Sequence, residues 1–127
     1  MAFKIAVIST DSAGFTALAA YGEATARDFP TQDHTHFEAL LGPDWASRRI
    51  SLDFDAVPYL DSSAIGWLLH SQKKLRDAGG RLVLHSVQPH IRNILSMLKI
   101  EKVVPITADA SSAQKLLADR PRKKQTA

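Results

Sequence analysis

Apolar residues recur along this chain in two rhythms, and the rhythms alternate. Lys4–Thr10 is a short β-rich run carrying Ile5, Val7 and Ile8, followed by the turn-forming residues Asp11-Ser12-Ala13-Gly14. Phe15–Tyr21 alternates loosely and predicts a second strand, hairpin-paired to the first. Arg49–Phe54 sets Ile50, Leu52 and Phe54 in strict alternation, the period of a strand. Arg81–Ser86 contains the unbroken run Leu82-Val83-Leu84, suited to a strand buried on both faces, and Val103–Ile106 predicts a last short strand.

The helical rhythm fills the intervals. His36–Leu41 reads as a helix that stops at Gly42-Pro43, while Gly22–Pro30 fits either a loop or a short helix. Ser62–Ala78 is the clearest helix, with Ile65, Leu68, Leu69, Gln72 and Leu75 expected on one face and Gly79-Gly80 as its terminator. Pro89 suits the first turn of the next helix, where Ile91, Ile94, Leu95 and Leu98 follow at helical spacing. Asp109 can cap a final helix, Ala110–Ala118, with Ala113, Leu116 and Leu117 inward.

The resulting order is β-β-α-β-α-β-α-β-α. Strands separated by helices need crossover connections, so the expected fold is α/β, with a mixed but mostly parallel sheet of about five strands, an N-terminal hairpin and about four helices. No internal repeat or linker divides the chain, and 127 residues suit one domain, expected over residues 1–119.

Charge changes this picture only at the end. Of 16 basic residues, Arg120, Arg122, Lys123 and Lys124 fall in the last eight positions, leaving 12 basic and 13 acidic groups in residues 1–119. The overall charge of +3 is thus a property of the tail, expected to be solvated and disordered, and no basic stripe runs through the folded sequence to suggest direct nucleic-acid binding. There are no cysteines, so disulfides and thiolate metal sites are excluded. Neither a signal-peptide pattern nor a membrane-length apolar run is evident, which makes a cytoplasmic location without membrane insertion the expectation.

Candidate chemistry concentrates in Asp61-Ser62-Ser63-Ala64, where a strand-to-helix connection brings three hydrogen-bonding side chains together. In open α/β sheets such edges gather functional groups, although a capping Asp61 or Ser62 would account for the same pattern. Trp67 either packs under a neighbouring element or stands beside the serines as a partly exposed aromatic anchor. Asp33-His34-Thr35-His36 groups possible metal ligands, but no distant partner completes a set, and His70, His85 and His90 have no catalytic context. The nucleophile elbow of a serine hydrolase and the phosphate loop Gly-x-x-x-x-Gly-Lys are both missing.

The segment Asp61-Ser62-Ser63-Ala64-Ile65-Gly66 resembles the Asp-Ser-Ser-Gly-aliphatic-Gly signature of the STAS family, the domain of sulfate transporters and anti-sigma-factor antagonists. The resemblance extends through Ile50–Phe54 and Val57, through Lys73–Leu84 with its diglycine turn, and through Pro89, Ile91, Arg92, Ile94 and Val103–Ile106. It covers roughly residues 49–117, and reaches the N-terminal third only at Gly22-Glu23. The resemblance implies a non-enzymatic regulatory protein of the anti-sigma factor antagonist type. Ser63 is then the phosphorylated residue, with Ser62 as the fallback, and Glu23, Asp61, Ser62, Ser63, Ala64 and Trp67 form the partner surface. The implied partner is an anti-sigma factor that is also a serine kinase of the histidine-kinase-like ATPase type, with a serine phosphatase resetting the switch and a homodimer possible. The ATP belongs to the kinase, so no cofactor and no metal are expected. Two departures are visible: Ala64 replaces the family's usual glycine, and Ala24-Thr25 stand where an acidic residue commonly follows Gly-Glu. The alternative within the family is an accessory subunit of a lipid-transport ATPase or a signalling scaffold, acting without phosphorylation.

Overall fold

In the computed structural model, which describes residues 3–11, 14–26, 28 and 35–118, five strands form one sheet in the order β1-β2-β3-β4-β5. The strands are β1 (Lys4–Thr10), β2 (Phe15–Tyr21), β3 (Arg49–Ala56), β4 (Arg81–His85) and β5 (Ile106–Thr107). The helices are α1 (Thr35–Leu41), α2 (Ser62–Asp77), α3 (Pro89–Met97) and α4 (Ala110–Ala118). The hairpin β1–β2 is antiparallel, and the remaining pairs are parallel because each is joined by a helical crossover. One extra residue, Ile8, bulges from β1 between the pairs Val7–Leu18 and Ser9–Ala17.

The unbroken Leu82-Val83-Leu84 run finds its reason in a sheet covered on both sides. Leu82 and Leu84 join Ile50, Leu52, Phe54 and the buried residues of α2 and α3 in the main core. Val83 turns the other way, against Ala113 and Leu117 of α4. Helix α1 is fixed by aromatic stacking. The Phe37 ring lies between Trp45 and Trp67, 5.1 Å from each and nearly parallel to both. Gly80 closes the turn between α2 and β4 so tightly that a Cβ there would run into the carbonyl oxygens of Ala46 and Arg48.

Three details differ from the sequence-based expectations. The last strand lies not at Val103–Ile106 but at Ile106–Thr107. Residues Ile100–Lys102 form a 3-10 turn that consumes the preceding segment and buries Val104 without pairing it in the sheet. In α3 only Ile91 and Leu95 are buried; Ile94 and Leu98 are exposed, because the helix lies on the rim of the core and covers it with a single row. In α2 the buried stripe is Ala64, Trp67, Leu68, Ser71, Gln72 and Leu75, rotated from the expected face, so that Ile65 and Leu69 flank it. Small Ala64 and Ser71 let this helix approach the sheet closely.

Candidate functional site

Strand β3 delivers the chain to the carboxyl-terminal edge of the sheet, where the connection to α2 is held at both ends. Val57 and Leu60 anchor it in the core, and Leu60 forms a parallel bridge with Ala24 that prolongs the β2–β3 pairing beyond the strands. Ala24 N donates to Tyr59 O at 2.9 Å and Asp61 N donates to Ala24 O at 3.0 Å. Glu23, exposed and one residue before this bridge, is thereby set at the same edge as the serine pair.

Asp61 has extended backbone and caps α2. Its Oδ1 accepts from Ser63 N at 3.0 Å and Ala64 N at 3.2 Å, and its Oδ2 accepts from Ala26 N at 2.8 Å. The carboxylate therefore joins the helix start to the loop after β2, and it acts by positioning both. Ser62 is exposed and Ser63 half-buried in the first turn of α2.

Two expected partner contacts are corrected. Trp67 is 1% exposed, packed against Phe3, His36 and Phe37, so it belongs to the core and cannot serve as an interface anchor. Ala64 is 2% exposed because its Cβ points into the same core. The residues that remain available at the edge are Glu23, Ser62 and Ser63, with the carboxylate of Asp61 behind them.

Other groups at this edge carry no signal in the sequence. Gln88 Nε2 donates to Asp55 O at 2.8 Å, and His90 Nε2 donates to Pro58 O at 2.7 Å. The start of α3 thus holds the connection that carries the serines. Tyr59, half exposed, presents an aromatic ring at that connection. His36, which the sequence sets beside Asp33 and His34 as possible metal ligands, lies against Phe3 and Trp67. Asp33 and His34 fall outside the described residues, as does the basic tail 120–127. Among the described residues there is no cluster of metal-ligating side chains and no helix long and apolar enough to cross a membrane.

The order of elements, the serine pair at a helix start and the diglycine turn meet in one family pattern, and the STAS domain model matches residues 15–113. The chain belongs to the STAS family. Within it, the domain is similar to BtrV of Bordetella bronchiseptica, named as a candidate anti-sigma factor antagonist. The two are 29% identical over 70 residues, which is 55% of this chain and 60% of the length of BtrV. The solved structure of a candidate anti-sigma factor antagonist from Thermotoga maritima shares the fold with a TM-score of 0.74 at 19% identity, over 87% of this chain and 92% of that one. The anti-sigma factor antagonist SpoIIAA in its unphosphorylated form shares it with a TM-score of 0.64 at 14% identity, over 93% and 100%. The phosphorylated form of Bacillus SpoIIAA also keeps this STAS fold, with a TM-score of 0.56 at 15% identity over 91% and 99%.

Proposed function

We propose that this STAS domain is an anti-sigma factor antagonist that binds an anti-sigma factor with serine-kinase activity and is released when Ser63 is phosphorylated. The observation that carries the reading is the placement of Ser63: half-exposed, in the first turn of α2, on the sheet edge shared with Glu23. The names borne by the relatives favour the same class.

The geometry says where the added charge would act. A phosphoserine carries roughly −1.5 to −2 charges at pH 7. A helix start tolerates such charge, so the fold survives. The N–H groups of Ser63 and Ala64, however, already donate to Asp61 Oδ1. A phosphate on Ser63 is therefore denied those donors and repelled by the Asp61 carboxylate, which turns it outward. Its cost falls on any surface packed against the edge, where an uncompensated buried anion costs several kcal/mol. Binding and release need no catalysis by this chain, and the kinase supplies the ATP.

The test is to incubate the protein with ATP and its cognate kinase and to locate the phosphate by mass spectrometry. Modification at Ser63, lost in Ser63→Ala, is the expected result. Ser63→Asp should keep the melting temperature near that of the parent while weakening the complex by at least about tenfold. An unmodified Ser63, or a Ser63→Asp protein that binds as tightly as the parent, would overturn the reading.

A further inference from the structure

Helices α2 and α3 both start at the edge that carries Ser63 and both finish towards the opposite one, where they form a corner. Gln72 Nε2 reaches from α2 to Val103 O at 2.9 Å, so the end of α2 lies beside the 3-10 turn that follows α3. Leu95 and Ile100 are buried and fix that turn to the core. Met97 and Leu98, lying between these anchors in the chain, are not: they are 80% and 57% exposed. Ile94, also exposed, precedes them by three and four positions and so shares their side of the helix.

Cations scattered in the sequence surround this apolar tip. Lys99 and Lys102 follow it, and Lys73, Lys74 and Arg76 stand on the last turns of α2, all of them exposed. Two carboxylates stand among them: Asp77, paired with Lys73 at 3.3 Å, and Glu101. Among the described residues, Lys74, Arg76, Lys99 and Lys102 have no carboxylate partner. The helix dipole accounts for Lys74 and Arg76, which end α2. It does not account for lysine at position 99, whose backbone is left-handed at φ 60°, a conformation that glycine usually supplies after a helix. Nor does it account for the aliphatic side chains held in water beside that lysine. The edge that carries Ser63 has the opposite sign, with Glu23, Asp53, Asp55, Asp61 and Asp109.

We propose that this corner docks on an anionic membrane surface, with Met97 and Leu98 entering the boundary between headgroups and acyl chains. Exposed aliphatic residues ringed by cations are the pattern of a segment that lies on a membrane, where apolar burial and attraction to anionic lipid act together. The charge calls for an anionic occupant, and the apolar tip selects among such occupants. A nucleic-acid backbone gives aliphatic side chains no apolar surface to enter. An acidic protein would need a pocket shaped to receive Met97, whereas a fluid lipid layer needs none. The acidic edge is repelled by the same surface, which turns Glu23 and the serine pair away from the membrane and leaves them open to a partner. The docking surface therefore does not depend on the phosphorylation reading.

The experiment is a flotation assay of the full chain with vesicles of phosphatidylcholine alone and of phosphatidylcholine mixed with phosphatidylglycerol. Binding to the mixed vesicles, weakening as salt is added, is expected. The basic tail can adsorb to the same lipid, so the deciding readouts lie at Met97. The double substitution Met97→Ser and Leu98→Ser alters exposed positions only and should weaken binding by about fivefold or more. The chain has no cysteine, so Met97→Cys can carry a single polarity-sensitive dye. Its emission should shift to the blue on the mixed vesicles, while the same dye at Asp55→Cys, on the acidic edge, should not respond. No binding to the mixed vesicles, equal binding by the double variant, or a dye at position 97 that stays in water would overturn the proposal. So would tighter binding of polyglutamate or of a short DNA duplex than of the vesicles, since that marks a general polyanion surface.

Discussion

Gln72 and Leu82 exchange two hydrogen bonds: the Gln72 Nε2 donates to Leu82 O at 3.0 Å, and Leu82 N donates to Gln72 Oε1 at 2.9 Å. The second proton on Nε2 goes to Val103 O at 2.9 Å. Because β5 is two residues long and pairs with Leu84 and His85, it leaves the outer side of β4 unpaired at Leu82. A side-chain amide takes the place of the missing strand. Gln72→Leu should therefore strand a buried N–H and two carbonyls, costing about 3 kcal/mol in urea unfolding. A loss under about 0.5 kcal/mol would show that the amide is dispensable.

Ser71, one position away and fully buried, has the opposite character. Its Oγ has no hydrogen-bond partner among the described residues. Ser71→Ala removes an unsatisfied hydroxyl from the face of α2 that meets the sheet and should stabilise the domain by about 1 kcal/mol, read as a higher denaturation midpoint.

Trp67 gives a sharp contrast between core and surface roles. Trp67→Ala should cost roughly 3–5 kcal/mol by opening a cavity under Phe37. Trp67→Phe, if folded, should bind the partner as the parent does, since the ring never reaches the surface. Weaker binding by a folded Trp67→Phe protein would contradict this.

Asp61 can be separated into its two tasks. Asp61→Ala should cost about 1–2 kcal/mol from the lost cap. It should also raise amide exchange at Ala26, which is joined to it across 35 residues. Exchange unchanged at Ala26 would mean that the loop is held elsewhere.

Acid sensitivity should appear at α4. The Ser112 backbone N–H, 2.9 Å from Asp109 Oδ1, holds this carboxyl below its ordinary value, and the Ser112 hydroxyl and the charges of His85 and Lys115 act in the same direction. With the folded value below the unfolded one, the group stabilises the helix above the unfolded value and loses that effect as pH falls through the folded value. Asp109→Asn keeps a capping oxygen without the charge. It should flatten the acid-side decline in α4 amide protection, and an unchanged profile would count against the assignment.

The sequence revealed most where pattern and physics agree. The period of two in Ile50, Leu52 and Phe54 and the triple Leu82-Val83-Leu84 located central strands because each face demands apolar residues. The start of α2 was legible because a capping residue, a serine pair and a following helix have few alternatives. The face of α2 was less so: Ala64 and Ser71 are buried but weakly apolar, while Ile65 and Leu69 look central and lie at its margin. With that face misjudged, the sequence leaves Trp67 open between packing under a neighbouring element and standing at the surface, and the structure buries it. The short β5 escaped because Val103 and Val104 have strand propensity, whereas the 3-10 turn before them depends on contacts with α3. The roles of Gln88 and His90 depend on carbonyls 33 and 32 residues away, and no local pattern announces them.

The bulge at Ile8 has a bearing on how the protein behaves in company. Strand β1 forms one border of the sheet, and such borders can template the addition of foreign strands. The extra residue interrupts the regular spacing of donors and acceptors midway along that border. An incoming strand can match one half of β1 or the other but not both in one register, which discourages the domain from growing into fibrils through its own perimeter.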